Sequence, residues 1–79
     1  MKIGKITGKQ VFGEDRVFNG MDITAEYLDN KNRVSIVSFR YTFLTNNLRG
    51  MVEKVLNAFL SDREMPKDIS LFVNMPGLR

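Results

Sequence analysis

The chain contains no cysteine, no histidine and no tryptophan. Without cysteine there is no disulfide, no thiolate nucleophile and no Cys-bearing metal site. Without histidine there is no imidazole base and no zinc, haem or non-haem iron site of the common kinds. The expectation is therefore a protein with no metal and no cofactor. Prolines number two, no run of like charges occurs, and no stretch approaches the ~20 apolar residues that span a bilayer. The opening segment, MKIGKITGKQVF, lacks the continuous apolar run of a secretory signal. Together these absences lead to the expectation of a cytoplasmic protein without a membrane partner.

What is present points to a folded unit. The 79 residues are 43% hydrophobic and include six Phe and two Tyr, a balance that disordered chains lack. Residues 1–79 read as one small domain, without repeat, linker or low-complexity segment. A chain of this size buries only about 60–65% of the surface its unfolded form exposes, so self-association is a natural supplement to its core. The net charge of +3 is spread along the chain and favours anionic partners weakly.

Periodicity orders the elements. Residues 2–12 are weakly strand-like, with Gly4 and Gly8 marking a bulge, a bend or a close backbone approach. Gly13–Arg16 reads as a turn, and Asn19-Gly20 as either a second turn or the lead into a strand. Residues 21–28 alternate, and 33–44 form the longest strand signal, rich in β-branched and aromatic residues. Opposed residues must share a face, so the paired positions of this hairpin sum to an even number. A sum of 62 sets Asp22 against Arg40 and Leu28 against Val34. It leaves Asn30-Lys31-Asn32 as the loop, with Asn32 able to adopt the left-handed conformation; a sum of 60 is the rival.

Residues 46–62 carry a wide apolar stripe at helical spacing: Leu48, Met51, Val52, Val55, Leu56, Phe59 and Leu60. Thr45, Asn46 or Asn47 supplies the cap, Gly50 weakens the first turn, and Pro66 stops the helix. Ile69–Met75 alternate as a last strand, which Pro76-Gly77 ends. The fold class is α+β: a two-layer sandwich, order β-β-β-α-β, its antiparallel or mixed sheet of about four strands packed on one face by one helix. The covered face should hold Met21, Ile23, Ala25, Tyr27, Val37, Phe39, Tyr41, Phe43, Ile69, Leu71, Val73 and Met75.

Candidate chemistry is sparse. Gly4-Lys5-Ile6-Thr7-Gly8-Lys9 resembles a phosphate loop only loosely, with three residues between its glycines where four are needed, and Gln10 where Ser or Thr should follow. Asp22 and Glu26 share a strand face but lie about 13 Å apart at ~3.3 Å per residue, beyond the ~5–9.5 Å of paired glycosidase carboxylates. The chain is read as not an enzyme. Phe39-Arg40-Tyr41-Thr42-Phe43 interleaves a cation with aromatics, as stacking platforms for nucleic acid do, yet parity turns the aromatics under the helix and Arg40 to the opposite side.

On that opposite, outer face Leu28, Val34, Ile36 and Phe72, with Val11 nearby, stand where a solvated sheet places polar groups. Contiguous apolar surface marks an interface. The expected function is a non-enzymatic protein-interaction or regulatory module, of accessory or inhibitor type. It would act through the open sheet face or an edge strand on another protein or on itself as a homodimer. The alternative is a nucleic-acid-binding domain using Lys5, Lys9, Arg33 and Arg40.

Overall fold

A computed structural model describes residues 2–76, with side chains as far as Phe72. Strands β1 (Lys2–Phe12), β2 (Phe18–Leu28) and β3 (Val34–Tyr41) precede the helix α1 (Leu48–Leu60), and β4 (Ile69–Pro76) follows it. All four strands join one antiparallel sheet in the order β1-β2-β3-β4, so the chain is the α+β sandwich that its periodicity implies.

The β2–β3 hairpin forms the centre of the sheet. Asp22 pairs with Arg40 and Leu28 with Val34, the register whose positions sum to 62. Its loop is held by Asp29. The backbone N–H of Asp29 donates to the Arg33 carbonyl at 3.0 Å, and its carboxylate accepts the N–H groups of Lys31 and Arg33 at 2.8 and 2.9 Å. Asn32 takes φ 60°, a conformation that Asn tolerates because its short amide bonds locally.

The first strand does not fold over the outer face; it pairs with β2 from Lys2 opposite Leu28 to Phe12 opposite Phe18 and forms a sheet edge. Gly4 lies at the irregularity between Ile3 and Ile6, and Gly8 lies under α1, where a Cβ would meet the Leu48 methyls at 2.9–3.0 Å. The reversal between β1 and β2 runs from Gly13 to Val17, which leaves Asn19-Gly20 inside β2 rather than in a turn. Gly20 has φ 128°, and a Cβ there would stand 2.7 Å from the Tyr41 carbonyl oxygen. Only glycine fits this crossing of β2 and β3.

The helix begins and ends with the apolar stripe, at Leu48 and Leu60, inside the 46–62 span expected of it. Asn47 is its cap, accepting the Gly50 N–H at 3.1 Å. A Cβ on Gly50 would collide with the Asn47 amide, so this glycine makes room for the cap instead of merely weakening the turn. At the far end the N–H of Asp62 bonds the Phe59 carbonyl and that of Arg63 the Ala58 carbonyl, with Asp62 at φ 56°. This is a Schellman closure, and it stops the helix before Pro66 exerts its effect.

The core joins Met21, Ile23, Ala25 and Tyr27 of β2, Val37 and Phe39 of β3 and Ile69 of β4 to Val52, Val55 and Leu56 of α1. Tyr41, the last residue of β3, is half-buried and packs against this core. Two positions assigned to this face by alternation behave differently. Phe43 is 54% exposed in the connection to α1. Leu71 stays opposite Phe39 yet is 36% exposed, whereas Ile69, two residues earlier on the same strand, belongs to the core cluster. The unbroken alternation expected of β4 also fails: a bulge leaves Phe72 unpaired between Leu71 opposite Phe39 and Val73 opposite Ser38. Val73 and Met75 thereby become register partners of Ser38 and Ile36; their side chains lie outside the described set.

Gly20→Ala should lower the unfolding free energy by about 1–3 kcal/mol through positive-φ strain, read as a shifted urea midpoint. Asn47→Ala should cost about 0.5–2 kcal/mol. Gly50→Ala, which helix propensity alone would make stabilising by ~1 kcal/mol, should give no gain while Asn47 is present.

Candidate interaction surfaces

Alternation sends Asp22, Thr24, Glu26 and Leu28 of β2, and Val34, Ile36, Ser38 and Arg40 of β3, to the face opposite α1. Cross-strand rows organise them. One row sets Lys9 against Asp22 and Asp22 against Arg40. The Arg40 guanidinium binds the carboxylate twice, Nε to Oδ1 at 2.7 Å and Nη2 to Oδ2 at 3.2 Å, and lies 5.4 Å from the centre of the Phe72 ring. This fork geometry is the arrangement that favours arginine over lysine. The hydrogen bond from Arg40 holds the Asp22 carboxyl below its ordinary pKa, with the charges of Arg40 and Lys9 acting in the same direction, and Asp22 in turn raises that of Arg40.

The next row sets Thr7 against Thr24 and Thr24 against Ser38, and the Thr24 and Ser38 hydroxyls share a 3.1 Å hydrogen bond. Beyond it come Glu26 opposite Ile36 and Leu28 opposite Val34. The four apolar residues singled out by sequence therefore do not form one surface with described contacts throughout. Leu28, Val34 and Ile36 gather at the hairpin end, Val34 48% exposed, while Phe72 lies at the opposite end beside Arg40, across the hydroxyl row. Val11 is half-buried opposite Gly20. A shallow open cleft of about 360 Å³ runs between the Gly4 bulge, Leu28 and Val34; the carboxylate of Glu26 and the amine of Lys2 border it without converging on a reacting centre.

The four cations proposed for nucleic acid are not equivalent. Arg40 is bound to Asp22, and Arg33 pairs with Asp29 at 3.2 Å at the hairpin tip, where three donors (the Arg33 and Lys31 backbone N–H groups foremost) hold the Asp29 carboxyl below its ordinary pKa. Lys5 and Lys9 are exposed on β1. On the outer face Asp22 bonds Arg40 and Thr24 bonds Ser38, while Lys5, Lys9 and Glu26 stay exposed.

The two sheet edges differ sharply. β1 carries Lys2, Lys5 and Lys9 together with Gly4 and Gly8 and two register irregularities, the devices by which natural edges resist pairing. β4, ISLFVNMP, has no charged residue. It exposes Leu71 on the helix side and Phe72, at 51%, beside Arg40. Thr42 N–H donates to the Asp68 carbonyl at 2.9 Å. Antiparallel alternation then turns Ser70 towards β3 and leaves the N–H and C=O of Leu71 directed to the open edge. Sequence reasoning placed Leu71 in the core, whereas it is 36% exposed on an uncharged edge strand.

Among the described residues no group of three or more Asp and Glu side chains is placed to hold a metal ion, and no helix is long and apolar enough to cross a membrane. Comparison with protein-family models, with curated proteins and with solved structures gives no match to this chain.

Because the folded pKa of Asp22 is depressed, its contribution to stability is fully present above the unfolded value of 3.8 and is lost as pH falls through the lower folded value. The stability difference between wild type and Asp22→Asn should therefore be constant near neutrality and shrink below about pH 4, measured by urea unfolding across that range.

Proposed function

We propose that this protein is a non-enzymatic interaction module of accessory or regulatory kind, acting in the cytoplasm, which binds an extended polypeptide segment by accepting it as a fifth strand along β4. The observation that carries this reading is the contrast between the edges: β1 is guarded by three lysines and two glycines, whereas β4 is uncharged and exposes Leu71 and Phe72 on its two sides. Strand addition draws affinity from backbone hydrogen bonds and selectivity from alternate side chains. Here Leu71, with Phe43 exposed in the neighbouring connection, offers apolar contact on one side, and Phe72 with Arg40 offers a stacked cation on the other. The outer face, where Asp22 is bound by Arg40 and Thr24 by Ser38, supports this role less well than the edge does.

The absence of histidine and cysteine, and the engagement of Asp22 by Arg40, support the non-enzymatic part. The nucleic-acid alternative retains Lys5 and Lys9, which face solvent on β1. It requires a gel shift that weakens steeply with salt and is lost on Lys5→Ala with Lys9→Ala.

A partner captured by the tagged wild-type protein should be lost with Leu71→Lys and retained with Thr7→Lys, a change of the same kind on the outer face. Capture that survives Leu71→Lys and disappears with Thr7→Lys would move the site to the sheet face and overturn the edge reading.

A further inference from the structure

We infer that the strand received by β4 is the β4 of a second copy of this chain, joined about a two-fold axis at Leu71 into one eight-stranded antiparallel sheet; the inference rests on the edge reading above and names its partner. An antiparallel pair of identical strands is self-complementary, so any residue on the axis faces itself. Leu71 meets the requirement of that position. Its backbone N–H and C=O point to the open edge, as derived from the Thr42–Asp68 bond, so two copies exchange both hydrogen bonds across the axis. Its side chain is apolar and 36% exposed, so it faces its own copy without repulsion.

The same register sets Ser70 of one copy opposite Phe72 of the other and Ile69 opposite Val73, and no charged residue of β4 meets a like charge. A two-fold pairing of β1 would do the reverse: centred on Thr7, it would bring Lys5 of each copy against Lys9 of the other, an arrangement that like charges directly opposed destabilise. The bulge at Phe72 confines the new ladder to a short stretch about Leu71. On the helix side of the sheet Leu71 is 36% exposed, and there the two Leu71 side chains shield each other from water.

Analytical ultracentrifugation of the full chain from micromolar to millimolar concentration should show the mass rising from the 9.1 kDa of one chain towards twice that value, and Leu71→Lys should remove the rise. Thermal unfolding at the lowest concentration should be little changed by Leu71→Lys, which shows that the variant folds. The chain has no cysteine, so Leu71→Cys introduces a single thiol. A short bifunctional thiol reagent should link two copies of Leu71→Cys, and should link two copies of Lys9→Cys far less. A wild type that stays monomeric throughout, a dimer that survives Leu71→Lys, or Lys9→Cys linking as well as Leu71→Cys would each overturn the inference. If the wild type is monomeric while a captured partner still needs Leu71, the second copy is excluded and the edge reading stands; if neither association nor capture responds to Leu71→Lys, both fall.

Discussion

A helix about 10 Å across cannot cover a sheet of four strands set ~4.8 Å apart, and the rest of this structure follows from where that shortfall lies. The single helix sits over β1 and β2. Its buried residues Val52, Val55 and Leu56 share one cluster with Phe39 on β3 and Ile69 at the start of β4. With only two layers the molecule measures 43 × 27 × 19 Å, and its radius of gyration of 12.8 Å exceeds the ~11.6 Å of a compact domain of this length. The uncovered strip runs along β4, where Leu71 points towards the helix side without a helix to meet it.

The sheet answers this asymmetry unevenly. On the outer face, polar groups satisfy one another: Arg40 grips Asp22 and leans on Phe72, and Thr24 bonds Ser38. Such exposed pairs stabilise only modestly, and the exposed carboxylate of Glu26 stands outside them. The β1 edge is protected by charge and irregularity. Only β4 combines open backbone groups with apolar side chains and no charge. β4 carries a bulge at Phe72 and ends in Pro76, so what sets it apart from β1 is the absence of charge.

Much of the architecture was legible from residue patterns. Parity and the Asp22–Arg40 match selected the hairpin register, Asn32 marked its left-handed turn, and the i, i+3, i+4 spacing of Val52, Val55 and Leu56 marked the face that packs. Other features were not legible because they depend on tertiary position. Alternation alone placed Leu71 and Phe43 in the core, since a pattern of period two records the face but not whether the helix extends over it. The bulge at Phe72 breaks that period without any glycine or proline to announce it. Gly50 looked like a helix defect until the Asn47 cap filled the space above it, and of the two readings of Asn19-Gly20, a turn or the lead into a strand, the structure has the strand. The candidate site shifted for the same reason: Leu28, Val34, Ile36 and Phe72 do lie at outer-face positions or beside them, but the uncovered strip lies along β4, and Leu71 on its helix side had been counted as core.

The most direct test of β4 as the pairing edge is amide hydrogen exchange at Leu71, followed by NMR as protein concentration rises. The account predicts that the Leu71 amide exchanges freely when dilute and becomes protected with concentration, while the open-edge amides of β1 stay unprotected at every concentration. Exchange at Leu71 that is fast and independent of concentration, or protection that appears along β1 instead, would contradict it.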